Sequence, residues 1–128
     1  MILADTSIWI NFFRSAMFKH ELDVLSAHRV LAGHPFVVGE LSLGNLARRR
    51  ETLLELDSLP QLTIVAPQDV RLMIESRQLY ARGIGLTDAN LLASCLATPG
   101  ATLWSLDKRL NAVAAELSVA VEMSRFIN

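Results

Sequence analysis

The chain reads as an α/β protein built on a central parallel sheet, and three observations carry that reading. Short apolar runs alternate with longer amphipathic stretches, the pattern of strand–helix–strand units. The first run, Ile2 to Ala4, is apolar at every position, as a strand covered on both faces must be. Glycines and prolines fall at the ends of these stretches, where they punctuate the chain. With 128 residues the whole length, 1–128, fits a single domain. At that size about two thirds of the unfolded surface is buried on folding.

The elements follow in order. Ile2 to Ala4 is a strand. Ser7 to Arg14 is a helix that Thr6 or Ser7 can cap. Lys19 to Leu31 is a second helix, with Leu22, Leu25 and Val30 on a broad apolar side. Pro35 to Val38 reads as a second strand. Gly39 to Leu59 reads as one long helix, with Leu43, Leu46, Ala47, Leu53 and Leu54 near one stripe, ended by Pro60. Leu62 to Val65 is a third strand. Pro67 suits the first turn of a helix that runs to about Arg82, where Gly83 and Gly85 break the chain. Thr87 to Ala97 is an apolar helix, Thr102 to Ser105 a strand, Lys108 to Glu116 a helix and Val119 to Val121 a last strand. The result is a three-layer α/β/α arrangement with about five strands. No internal repeat, linker or low-complexity segment interrupts it.

Composition narrows the function. The hydrophobic fraction is 52%, high for a small domain, so either the core is large or a partner covers apolar surface. A formal net charge of −1 gives no general pull toward nucleic acid or an anionic membrane; such binding needs a local patch. The one cysteine, Cys95, rules out an internal disulfide and fits a reduced, cytoplasmic setting. No apolar run reaches the ~18 residues of a membrane span, and the first residues do not read as a secretion signal. His20, His28 and His34 are scattered and read as surface or structural residues.

Four acids stand where apolar runs meet helices: Asp5, Glu40, Asp88 and Asp107. Glu40 is read in the first turn of the long helix. Helix capping accounts for each aspartate singly. Jointly the four fall on one edge of the sheet, the edge where ligands of open α/β sheets bind. Like charges ~4 Å apart cost roughly 4 kcal/mol at an effective dielectric near 20, and a divalent cation removes that cost. Oxygen ligands suit Mg²⁺ or Mn²⁺. The helix N-termini are expected to lower these pKa values and keep the acids ionised. A receiver domain needs an acidic pair after the first strand and an aspartate after the third; here stand Asp5-Thr6 and Ala66-Pro67-Gln68. A haloacid-dehalogenase-type phosphatase needs Asp-x-Asp, and Ser7 occupies the second place.

The ordered set Ala4-Asp5-Thr6-Ser7, Gly39-Glu40-Leu41, Leu86-Thr87-Asp88-Ala89 and Ser105-Leu106-Asp107 resembles the PIN domain. With the small size of the chain it looks like a VapC-type toxin ribonuclease. The resemblance covers the whole chain. It implies Asp5, Glu40 and Asp88 as core metal ligands, Asp107 as the less constant fourth, and Ser7 and Ser105 as hydroxyls lining the site. It also implies a Mg²⁺- or Mn²⁺-dependent endoribonuclease acting on loops of tRNA or ribosomal RNA. Such proteins form a homodimer and are neutralised by a cognate antitoxin whose C-terminal segment wraps around the toxin. A non-catalytic PIN-type RNA-binding module is the alternative; it would usually lack one of the acids, and none is missing.

Two further sets of residues concern partners. Arg48, Arg49 and Arg50 lie on the expected long helix and spread around about 200° of it, so they cannot all face one ligand: either they form a solvated face with Glu51 and Glu55 as pairing partners, or one or two, Arg48 among them, contact RNA phosphates. Lys108 and Arg109 follow Asp107 and are better placed for phosphate contacts. The first helix and its exit carry Trp9, Phe12, Phe13 and Phe18, more aromatics than one buried stripe needs. Either part of this set receives the antitoxin, or the core is locally thick under the second helix.

Overall fold

The computed structural model describes residues 1–126. Strand β1 (Ile2–Ala4) leads into helix α1 (Thr6–Ser15), followed by α2 (Lys19–Ala27), β2 (Leu31–Ala32), α3 (Pro35–Ser42), α4 (Arg49–Asp57), α5 (Pro67–Ser76), α6 (Leu86–Ala97), β3 (Thr102–Trp104) and α7 (Lys108–Glu116). A single 3₁₀ turn, Met123–Arg125, follows. The sheet is parallel with order β2-β1-β3. Ile2, Leu3 and Ala4 are wholly buried, as the unbroken apolar run requires. Around them pack Ile8 and Trp9 of α1, Leu25 of α2, Leu91 and Leu92 of α6, Leu103 of β3 and Leu110 and Val113 of α7.

The α/β class with a parallel sheet stands as expected, but the sheet is narrower than five strands. Among the described residues three strands form. Their outer neighbours reduce to single parallel bridges, Gly33 to Gln61 on one side and Leu103 to Ala120 on the other. The segment read as a strand at Leu62–Val65 therefore leaves the sheet just after its bridge at Gln61, and Val119–Val121 meets the sheet at Ala120 alone.

The second strand lies earlier than expected. Arg29 adopts a left-handed backbone (φ 57°), which ends α2 at Ala27, and the chain pairs with β1 at Leu31 and Ala32. Pro35–Val38, read as a strand, is instead the start of α3. Its proline occupies the first turn, where a missing N–H costs nothing. The cap is His34, whose Nδ1 accepts from the Phe36 N–H at 3.1 Å. The expected long helix 39–59 is two helices, α3 and α4, split by Gly44-Asn45 and by Arg48, which is left-handed (φ 48°). α5 stops at Ser76, short of Arg82, because Gln78 turns left-handed (φ 54°). Among the described residues no helix is long and apolar enough to cross a membrane.

Candidate metal and nucleic-acid site

Adjacent parallel strands end at the same edge, so β1 and β3 deliver residues 5 and 105 side by side; the Asp5 N–H donates to the Trp104 carbonyl at 2.9 Å. Asp5, and not Thr6 or Ser7, caps α1. Its Oδ1 accepts from the Ile8 N–H at 3.3 Å and from the Ser7 hydroxyl, and its Oδ2 accepts from the Ser105 hydroxyl. The two serines are held in turn: Ser105 Oγ accepts from the Asp107 N–H at 2.9 Å, and Ser7 Oγ from the Leu106 N–H at 3.0 Å. This network fixes a carboxylate that is only 5% exposed.

The other acids gather from three helices. Asp107 caps α7, accepting from the Arg109 and Leu110 N–H groups at 2.9 and 3.0 Å. Asp88 lies in the first turn of α6 and accepts from the Gly85 N–H at 3.3 Å. Glu40 is near the end of α3, not in a first turn, because that helix begins at Pro35. Its exposed carboxylate accepts from the Thr6 hydroxyl at 2.7 Å. Thr6, read from sequence as a possible helix cap, instead restrains the second acid.

Contrary to expectation, the Asp5 and Asp88 carboxyls are raised above the ordinary range. Burial is the main cause at Asp5, opposed by the bonds from Ser105, Ser7 and Ile8. At Asp88 burial again leads, the Gly85 bond opposes it, and the charges of Asp5, Asp107 and Glu40 push further upward. The four acids therefore share one electric field. The ion pairs among the described residues are Lys19–Asp23, Arg48–Glu51, Arg82–Glu116 and Arg125–Glu122, none of which involves the four. That uncompensated set of hard oxygen donors fits a divalent cation. Among the described residues no three His, Cys, Asp or Glu side chains converge tightly enough to hold one ion by themselves. The fit is thus to an ion held by one or two carboxylates that keeps water in its other positions, as Mg²⁺ commonly does.

The cationic and aromatic residues are less tightly assembled. Lys108 and Arg109 are exposed in the first turn of α7, directly after Asp107. The Arg109 side chain lies across Gly83, where an added Cβ would come within 2.6 Å of Nη1. Arg48 lies outside any long helix; it precedes α4 and pairs with Glu51. Trp9 belongs to the core, Phe12 is half-buried, Phe13 is exposed, and Phe18 sets its ring edge-on to Trp104 at 5.2 Å. A hollow of about 400 Å³ opens between α1, α2 and α4, floored by Trp9, Phe12, Phe13 and Leu56 with Asp23 and Glu55 on its lining.

The family model for the PIN domain matches residues 2–116. The chain belongs to the PIN domain family. Ribonuclease VapC32 of Mycobacterium tuberculosis, in strains H37Rv and CDC 1551, is 41% identical to this PIN domain over 121 residues, covering 94% of this chain and 96% of the relative. The family match at residues 2–116 runs through every element that carries an acid of the site.

Proposed function

We propose that this PIN domain, residues 1–128, is a divalent-metal-dependent endoribonuclease toxin acting on unpaired loops of tRNA or ribosomal RNA. Its cofactor is Mg²⁺ or Mn²⁺, and it works in the cytoplasm. One observation carries the reading: Asp5, Glu40 and Asp107 all push the Asp88 carboxyl upward, and none of the four acids enters an ion pair among the described residues. Resemblance to a ribonuclease along 94% of the chain supports it.

Asp5, Glu40 and Asp88 would hold the ion directly or through water, with Asp107 at the outer shell. A divalent ion there supplies Lewis acidity to water and offsets charge on the phosphate. The protein's own part is positional. Ser7 and Ser105 keep the Asp5 oxygens aimed, Thr6 restrains Glu40, and Lys108 and Arg109 take flanking phosphates, with Arg48 a more distant candidate. Hydrolysis adds water across the P–O3′ bond and leaves 5′-phosphate and 3′-hydroxyl ends. A cognate antitoxin occupies the hollow between α1, α2 and α4, with Phe13 as its exposed contact, half-buried Phe12 beside it and Trp9 beneath, while Phe18, packed on Trp104, stays outside the lining. The active species is a homodimer.

Purified protein freed of antitoxin, incubated with total RNA and Mg²⁺ or Mn²⁺, should give discrete new 5′ ends. Asp5→Asn should lower cleavage by at least about 100-fold, since even outer-shell partners of metals cost 10–100-fold, while the fold persists. Cleavage that survives in Asp5→Asn, or that needs no metal, would remove the assignment.

A further inference from the structure

A second, smaller hollow of about 160 Å³ adjoins the acid site and shares a wall with it: Glu40. Its other walls include Phe13 and Arg14 of α1, Leu41 of α3, and Asn45 and Leu46 of the connection to α4. The chemistry of these walls is that of a single-base subsite. Phe13 is 38% exposed, yet its ring is already oriented. It stacks on Trp9 with centroids 5.9 Å apart and 23° between planes, and it leans on Phe12 at 5.4 Å. An oriented aromatic ring at the edge of a site is a stacking platform for an unpaired base.

Asn45 is exposed, and its amide makes no hydrogen bond among the described residues, although asparagine offers both donors and an acceptor. That is the pair of functions needed to read a base edge. Arg14 is exposed and enters no ion pair among the described residues, so its charge is available to a phosphate. The rim is braced. Arg49 donates to the Gly44 carbonyl at 3.1 Å and to the Ser42 carbonyl, and the Gly44 N–H donates to the Leu41 carbonyl at 3.1 Å. Asn45 therefore stands on a connection whose path is set before substrate arrives.

We infer that this hollow receives one unpaired nucleobase next to the scissile phosphate, with Phe13 stacking on it and Asn45 reading its edge. The inference rests on the ribonuclease reading and adds a source of sequence preference to it. A protein side chain is the rival occupant. The base is favoured because the hollow adjoins the acids, where a phosphodiester would lie, and because Arg14 supplies a phosphate contact beside it.

The test uses an RNA library randomised in a loop, cut by the full chain with Mg²⁺ and read by sequencing new 5′ ends. Wild-type protein should prefer one base at a single position beside the cut. Asn45→Ala should flatten that preference by about tenfold, the worth of about one hydrogen bond, and leave preferences at other positions in place. Asn45→Asp, which replaces donors by acceptors, should favour a different base there. Phe13→Leu, which keeps an apolar side chain but removes the ring, should raise KM more than it lowers kcat. Thermal melts establish that each variant is folded. Asp5-dependent cutting with an unchanged preference in folded Asn45→Ala and Asn45→Asp overturns the subsite alone. So does an unchanged preference accompanied by weakened binding to a neutralising protein, which would assign the hollow to that protein. Failure of wild-type protein to cut any RNA overturns the ribonuclease reading and the subsite together.

Discussion

Asp5 commits both carboxylate oxygens to the protein, whereas Glu40 has a single restraint, the Thr6 hydroxyl. The four acids were legible from sequence because each follows or opens an apolar run, and the topology of parallel sheets places those points together. Their ionisation was not legible, because burial outweighs the helix termini at Asp5 and Asp88 and neighbouring charges add to it at Asp88. The sign of that effect is testable at Asp88. A carboxyl whose pKa is raised by folding makes the native state bind protons more tightly than the unfolded chain, so stability falls as pH rises through the folded value. At neutral pH the ionised Asp88 is a net cost to the metal-free protein. Asp88→Asn keeps an oxygen for the Gly85 N–H and removes the charge. Its melting temperature without metal at pH 7 should exceed that of wild type, and Mg²⁺ should raise the wild-type value more than the variant's. A variant that melts lower than wild type would contradict this account.

At the level of elements, α3 is the instructive case. Four residues, Pro35 to Val38, have the apolar density of a strand, and the usual capping residues are absent in front of them. Histidine is not among the preferred N-caps, so His34 gives no helix signal, and Pro35, read as the start of a strand, is in fact the proline of a first helical turn. Gly44-Asn45 was likewise a break that the leucine stripe masked. The cap has a tautomer built into it. His34 Nδ1 accepts from the Phe36 N–H, so Nε2 carries the proton and donates to Ser94 Oγ at 3.0 Å. Both residues are 1% exposed. This bond joins α3, which bears Glu40, to α6, which bears Asp88. Burial lowers the His34 pKa to about 4, against about 6.5 in the unfolded chain. Between those values the unfolded chain takes a proton that the native state refuses, so stability falls as pH drops. At about 1.4 kcal/mol per pH unit the loss reaches about 3 kcal/mol by pH 4. Urea denaturation of wild type and His34→Ala at pH 7.5 and pH 5 checks this. The variant should be about 1–2 kcal/mol less stable at pH 7.5 and should show a smaller drop between the two pH values.

For the molecule as a whole, a net charge of −1 and an edge crowded with acids leave RNA attraction to a few cations. Arg109 is the best placed, steadied across Gly83, while Arg82 pairs with Glu116 of the same α7 at 2.8 and 2.9 Å. Arg109→Ala should weaken RNA binding across sequences and reduce the slope of log affinity against log salt by about 1, measured by filter binding in Ca²⁺. An unchanged slope would place the phosphate contacts elsewhere. The class of fold was readable because β1 is apolar at every position. The width of the sheet was not, because a single bridge and a full strand look alike in a run of valines and leucines. The high apolar fraction did not all go to the core: Leu43, Leu72 and Leu86 remain well exposed. The strand order has a consequence in time. The central strand precedes both of its neighbours in the chain, and the Ser105 that grips Asp5 comes 100 residues after it. A chain emerging from the ribosome N-terminus first carries its leading acid without the strand or hydroxyl that aims it. The acid edge is therefore assembled only after synthesis has passed β3 and Asp107, and no shorter N-terminal piece of this fold holds Asp5 as the finished one does.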